Sequence, residues 1–299
     1  MQTEGILRGI SAPQITPFHA GGSVNYAEYS RLTGYITQNG VKGIFVCGTS
    51  GEFANLTVDE RRQLLVAAQK GAQPDAKIMF NATALNLRDM KELMDWACAQ
   101  GADAVSVTPP YYHGYDAAAQ LAYFKKAAEL AGDMPFYLYN MPGMTHNPIQ
   151  PGVVAALAET CPNLMGLKDS SMDFMTFLEY QLAVQKPGFE LITGNDAQVL
   201  TAIQAGGAGA VIAMASVFPA LSQSIWDKYF AGDTAGARQA QDTLLRLRDL
   251  VRKVMPVMGH KAMLEELGFS MGPARFPMRD LTAAERATVR SGLKELGLL

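Results

Sequence analysis

Short apolar, β-branched runs alternate with longer stretches of helical periodicity over more than two thirds of the chain, the pattern of repeated βα units. The apolar runs predict strands at Gly9 to Thr16, Gly43 to Cys47, Lys77 to Asn81, Ala104 to Thr108, Pro135 to Asn140, Leu164 to Lys168, Glu190 to Gly194 and Gly209 to Ala213. Helices are expected between them, near Tyr26 to Asn39, Thr57 to Ala72, Leu87 to Gln100, Asp116 to Ala131, Gln150 to Glu159, Phe174 to Gln185, Ala197 to Ala205 and Phe218 to Phe230. In the second of these, Val58, Arg61, Arg62, Leu65 and Ala68 divide an apolar face from a charged one. Thr57 and Glu60 are spaced as a capping box.

Eight strand–helix units in 299 residues predict a (β/α)8 TIM barrel, because right-handed crossovers repeated eight times close the sheet on itself. A doubly wound dinucleotide-binding sheet would need a glycine fingerprint after its first strand, and Gly9-Ile10-Ser11-Ala12-Pro13 does not supply it. Beyond Phe230 the pattern is purely helical, over Ala235 to Val254, Gly259 to Leu267 and Thr282 to Leu296. The chain is therefore divided into a barrel at 1–230 and a C-terminal helical appendage at 231–299.

Composition narrows the partners. Hydrophobic residues make up 48% and charged residues 18%, enough apolar surface for a large core. With 25 Lys and Arg against 28 Asp and Glu, the net charge of −3 gives no electrostatic case for nucleic acid or an anionic membrane. Cys47, Cys98 and Cys161 are scattered and form no CxxC pair, which points to a reducing compartment without disulfides or a zinc knuckle. The absence of a signal-like start or of a long apolar run predicts a cytoplasmic, unanchored protein. His19, His113, His146 and His260 show no metal-ligand spacing, so no metal is expected.

In a TIM barrel the chemistry sits at the C-terminal ends of the strands. The sixth candidate strand ends in Lys168, where an apolar strand mouth would disfavour the ammonium form and leave a nucleophilic amine. Alone, such a lysine is more often one that snorkels from a strand end to water. After the second strand, Gly48-Thr49-Ser50-Gly51-Glu52 places two hydroxyls between glycines, either a cradle for a small carboxylate or an ordinary βα turn. The fifth strand ends in Tyr139-Asn140-Met141-Pro142, with a phenol that could shuttle protons or merely pack. Gly206-Gly207-Ala208-Gly209 reads as a helix-to-strand turn more readily than as a phosphate site. Met255, Met258 and Met263 read as core of the appended helices.

Together these segments resemble the dihydrodipicolinate synthase and N-acetylneuraminate lyase family over nearly the whole chain. The resemblance rests on residues 48 to 52, Thr108-Pro109-Pro110-Tyr111-Tyr112, Tyr139-Asn140-Met141-Pro142, Gly166-Leu167-Lys168-Asp169, Gly194-Asn195-Asp196 and residues 206 to 209. It implies a class I lyase in which Lys168 forms a Schiff base with pyruvate or another 2-oxo acid. Tyr139 would act as its acid/base group and Thr49 as the proton link. Tyr111 would complete a hydroxyl relay across a subunit boundary, with Tyr112 as the alternative register. The resemblance also implies that Thr49 and Ser50 hold the pyruvate carboxylate, that Val211 lies beside the pyruvyl group, and that Gly194 and Asp196 line the site. The imine is itself the electron sink, so no cofactor is implied. A homo-oligomer is, either dimer or homotetramer.

The second-substrate half departs from the family's two best-known branches. Met144 stands where the synthases place an arginine, and it cannot make that bidentate carboxylate contact. Ala197 and Ala213 stand where the sialic acid lyases place an acid and a serine, leaving only Asp196. Met144, His146 and Asn147 on one loop and Tyr112 and His113 on another suggest a pocket with few fixed charges. That fits an uncharged hydroxylated tail or an aromatic aldehyde and favours a 2-keto-3-deoxy sugar acid-type aldolase, with dihydrodipicolinate synthase, or a dehydratase or deaminase using the same imine, as alternatives. A 2-oxo acid-binding barrel without turnover is the non-enzymatic competitor, and a metal-dependent hydrolase is a poor one.

Overall fold

The computed structural model describes residues 5–299. Eight parallel strands close into a barrel in sequential order: β1 (Gly9–Pro13), β2 (Gly43–Val46), β3 (Lys77–Asn81), β4 (Ala104–Val107), β5 (Phe136–Asn140), β6 (Leu164–Asp169), β7 (Glu190–Thr193) and β8 (Gly209–Val211), with β8 pairing back onto β1. Around it run α1 (Tyr26–Gln38), α2 (Val58–Gly71), α3 (Leu87–Ala99), α4 (Ala117–Ala131), α5 (Pro142–Thr145), α6 (Pro151–Thr160), α7 (Phe174–Ala183), α8 (Val199–Gln204) and α9 (Pro219–Phe230). Then α10 (Thr234–Arg252), α11 (Pro256–Glu266) and α12 (Ala283–Glu295) complete the chain. The (β/α)8 architecture with C-terminal helices is the one expected.

Several strands stop short of their predicted ends, at Pro13, Val107, Thr193 and Val211. The apolar pattern continues past the last ladder hydrogen bond because residues at the barrel mouth stay buried without pairing. One helix was not anticipated and another begins earlier than expected. The turn of helix α5 starts at Pro142, whose missing N–H costs nothing at a first helical position. Likewise α11 starts at Pro256, three residues before the predicted Gly259. The capping box at α2 forms as predicted, with Glu60 N–H donating to Thr57 Oγ1 at 3.2 Å and Thr57 N–H to the Glu60 carboxylate at 2.9 Å.

Burial separates two apolar layers. The larger lies between the sheet and the helices, and Met258 and Met263 belong to it with Met255 packed against it, as the sequence suggests. The smaller fills the barrel with Leu7, Phe45, Met79, Ala104, Tyr137, Tyr139, Ile192 and Val211. Gly166 exists to admit one of these rings, since a Cβ there would lie 2.7 Å from Tyr137 Cε1 and 2.4 Å from the Glu190 carbonyl oxygen. Gly206 to Gly209 turn α8 into β8, Gly207 N–H bonding the Ala202 carbonyl at 2.8 Å.

Candidate active site

Strand register brings Lys168 and Tyr139 together. Tyr139 of β5 sits directly across from Lys168 of β6 in the ladder, and both side chains point into the barrel. The Lys168 Nζ lies 4.0 Å from the Tyr139 ring centroid and 4.6 Å from that of Phe45, in a slot where the lysine is only 3% exposed. Phe45 and Tyr139 meet edge to face at 5.6 Å. Burial lowers the Lys168 pKa, against the opposing pull of the Tyr139 phenol and the Asp196 carboxylate. The balance is thereby shifted towards the free amine.

Tyr139 Oη and Thr49 Oγ1 are 3.0 Å apart, which links the phenol to the β2 loop. That loop is shaped from behind. Cys47 takes a left-handed conformation after β2, its carbonyl accepting from Asn81 Nδ2 at 2.7 Å, while Thr16 Oγ1 donates to the Gly51 carbonyl at 2.7 Å. Glu52, also left-handed, forms a 2.6 Å ion pair with Lys261 of α11 in which both side chains are 1% exposed. On the other side of the lysine, buried Asp169 accepts from Asn140 Nδ2 at 2.8 Å, Ser171 N–H at 3.1 Å and Ser171 Oγ at 2.8 Å. Gly194 completes the slot, because a Cβ there would lie 1.9 Å from Ser170 Oγ and 3.0 Å from Lys168 Cε.

Lys168, Tyr139, Thr49, Ser50, Gly194, Asp196 and Val211 all line one cavity of about 340 Å³. Tyr111 and Met144 line a second cavity of the same volume, which Thr49 and Met141 share with the first. Tyr111 is half-buried, whereas Tyr112 is 88% exposed on a positive φ and points away from its own barrel. His146 is not brought to either cavity. It caps α5 in the left-handed region and faces outward. Asn147 holds loops rather than substrate, its Nδ2 donating to the carbonyls of Pro110 and His113 at 2.8 Å and its Oδ1 accepting from Tyr115 N–H at 2.8 Å.

The expectation of few fixed charges is corrected by the C-terminal helices. Arg248 and Arg252 of α10 and His260 of α11 line the same cavity as Lys168. They lie about 80 residues or more beyond the lysine, and no local motif marks them. One signal exists: Arg248 falls in the stripe Gln241, Leu244, Arg248, Val251, whose other members are buried. Burial pushes the His260 pKa down to about 4, leaving a neutral imidazole. Among the described residues no group of three or more His, Cys, Asp or Glu could hold a metal ion, and no helix is long and apolar enough to cross a membrane.

The chain is similar to known proteins over nearly its whole length. The sequence model of the Dihydrodipicolinate synthetase family matches residues 6–296. An uncharacterized DapA-like lyase of Halobacterium salinarum is 33% identical over 98% of this chain and 95% of its own length. A 4-hydroxy-tetrahydrodipicolinate synthase of Methanoculleus marisnigri is 32% identical over 98% of this chain and 99% of its own. Among solved structures, YagE, a prophage protein of the dihydrodipicolinic acid synthase family from E. coli K12 in complex with pyruvate, superposes with a TM-score of 0.93 at 27% identity, covering 98% of this chain and 99% of that one.

Proposed function

Because this chain belongs to the dihydrodipicolinate synthetase family and is a class I, Schiff-base lyase, we propose that Lys168 is its imine-forming residue and that it is a 2-keto-3-deoxy sugar acid-type aldolase. The observation that carries this reading is the buried Lys168 amine beside the Tyr139 phenol, itself 3.0 Å from Thr49. The neutral amine adds to the C2 carbonyl of pyruvate, and the carbonyl oxygen takes a proton from Tyr139 Oη, refilled through Thr49. Loss of water gives the iminium, and loss of a C3 proton gives the enamine. Enamine attack on an aldehyde carbon forms the carbon–carbon bond, and hydrolysis of the imine frees the product and the lysine. Run backwards, the same steps cleave a 2-keto-3-deoxy acid into pyruvate and an aldehyde. The iminium accepts the electron pair left at C3 and the enamine passes it to the new bond, so the chemistry calls for no resident cofactor.

Thr49 and Ser50 would hold the pyruvate carboxylate, with Val211 against its methyl carbon and Asp196 towards substrate hydroxyls. Met144 in place of an arginine counts against the synthase activity of the Methanoculleus relative. Tyr111, which lines the same cavity as Thr49, would complete the hydroxyl relay across a subunit boundary in a homo-oligomer, with Tyr112 as the alternative register. The direct test is incubation with pyruvate and borohydride followed by intact mass and peptide mapping. A reduced pyruvyl adduct on Lys168 is expected. An adduct elsewhere, or none, overturns the assignment.

A further inference from the structure

The loop after β2 holds a strain that its backbone alone does not explain. Glu52 sits at a φ of 60°, in the left-handed region where glycine is the unstrained residue. In place of a glycine the position carries an acid whose side chain is 1% exposed and lies 2.6 Å from Lys261 Nζ, itself 1% exposed. A non-glycine residue stays in that region only where its surroundings over-determine it. A buried ion pair adds little net stability, because both charges are taken out of water to make it. Its best attested use is to fix one arrangement of the elements it joins.

The elements joined here are the Thr49 loop and α11. Glu52 N–H donates to the Thr49 carbonyl at 3.0 Å and Gly51 N–H to the Gly48 carbonyl at 3.1 Å, so Thr49 and Glu52 are the two ends of one tight turn. On that turn Thr49 Oγ1 is 3.0 Å from Tyr139 Oη. Glu52 also lines the cavity that Thr49 and Tyr111 share. On α11, Lys261 directly follows His260, which lines the cavity around Lys168. The same C-terminal part of the chain takes a second grip. Arg275 Nη1 donates to the Asn55 carbonyl at 3.0 Å, and Asn55 N–H donates to the Glu52 carbonyl at 2.8 Å. Lys261 Nζ and Arg275 Cζ lie 4.4 and 4.5 Å from the Phe18 ring centroid, so one ring spaces the two cations.

We propose that Glu52 and Lys261 are positioning residues for the proton link. Through the 49–52 turn they hold the Thr49 hydroxyl at the Tyr139 phenol, so that the seating of α11 on the barrel mouth sets how fast Lys168 forms its imine. This rests on the Schiff-base reading above and adds to it the residues that keep its hydroxyls in register.

The test separates positioning from stability. Glu52→Met combined with Lys261→Met replaces the ion pair by apolar chains of similar length, and its midpoint in denaturant should return close to that of the wild type. The rate at which pyruvate labels Lys168 under excess cyanoborohydride is followed by intact mass against pyruvate concentration. In the apolar pair the limiting rate should be about 10- to 100-fold below wild type despite the recovered midpoint, the scale of a small misplacement of reacting groups. Thr49→Val, alone and combined with the apolar pair, closes a double-mutant cycle. Because the pair acts through Thr49, the combined variant should label within about threefold of Thr49→Val alone. Glu52→Gln keeps the shape of the acid and lets the buried lysine give up its proton. It is carried through the same cycle with the same expectation, so the test stands even if the apolar pair does not fold. A folded apolar pair that labels within about threefold of wild type overturns the proposal, and so do losses that multiply with that of Thr49→Val. Either result leaves the Schiff-base reading intact as long as pyruvate labels Lys168 in the wild type. Failure of that labelling overturns both.

Discussion

Tyr137 and Tyr139 stand two residues apart on β5, face the same barrel interior and are equally removed from water, yet they have opposite relations to their surroundings. Tyr137 lies deeper and donates to the Glu190 carboxylate, which also accepts from Leu7 N–H at 3.2 Å. Burial raises the pKa of both partners, so at neutral pH the phenol keeps its proton and that proton is committed to Glu190. Tyr139 has instead a hydroxyl partner, an amine at its ring and an open cavity in front of it. The difference teaches that in a barrel the same residue type becomes structural or reactive according to depth. Polar groups at the closed end must satisfy one another, whereas those at the mouth can be satisfied by a ligand.

The comparison breaks most sharply at the lysine. Lys168→Ala is expected to lose aldol turnover altogether, and full turnover by that variant would sink the Schiff-base assignment. Tyr139→Phe, which removes only the phenol oxygen, should lower kcat by roughly 10²- to 10³-fold with little change in unfolding free energy. Tyr137→Phe should do the reverse. It leaves Glu190 with one donor in the barrel interior and costs about 2 kcal/mol of stability in denaturant titrations, with kcat near wild type. If both variants changed the same quantity, the division between the two ends would be wrong.

The mouth has its own structural cost. Removing the cation from the Glu52–Lys261 pair by Lys261→Met strands a buried carboxylate and should destabilise the fold by about 3–5 kcal/mol. Replacing both partners by apolar residues should recover much of that loss, and a double variant no more stable than the single one would contradict the account.

Smaller effects follow from protonation. His260 is neutral in the fold with a pKa near 4, whereas the unfolded chain takes up a proton at about 6.5. Stability is therefore complete above pH 6.5 and is lost as pH falls towards 4, by about 3 kcal/mol for this group. His260→Gln should flatten that window of the stability curve, and an unchanged curve would place the acid sensitivity elsewhere. Since burial lowers the Lys168 pKa, the rate of pyruvate trapping should rise with pH around a midpoint below the ordinary lysine value. A midpoint at 10.5 or above would mean that the slot does not favour the free amine.

The fold was legible because its determinants are local. Eight apolar runs, their helical partners and caps such as Thr57 with Glu60 each specify one element, and the count closes the sheet. The site was half legible for the same reason. Lys168, Tyr139 and Thr49 each end a strand or begin its loop, so placing the strands places them on one rim. His146 was read into the pocket because it follows Tyr139 closely in sequence, but the turn of α5 rotates it outward.

What sequence determined, then, is the barrel, the lysine at its mouth and the hydroxyls beside it, since periodicity and strand ends are properties of short segments. Tertiary structure alone decided which tyrosine of β5 is committed to Glu190, that Glu52 meets Lys261, and that Arg248, Arg252 and His260 close the cavity over Lys168. These depend on how helices distant in the chain pack across the barrel mouth. Contacts made by chain return are set by the sum of many weak apolar interfaces, and no single stretch of sequence carries that sum.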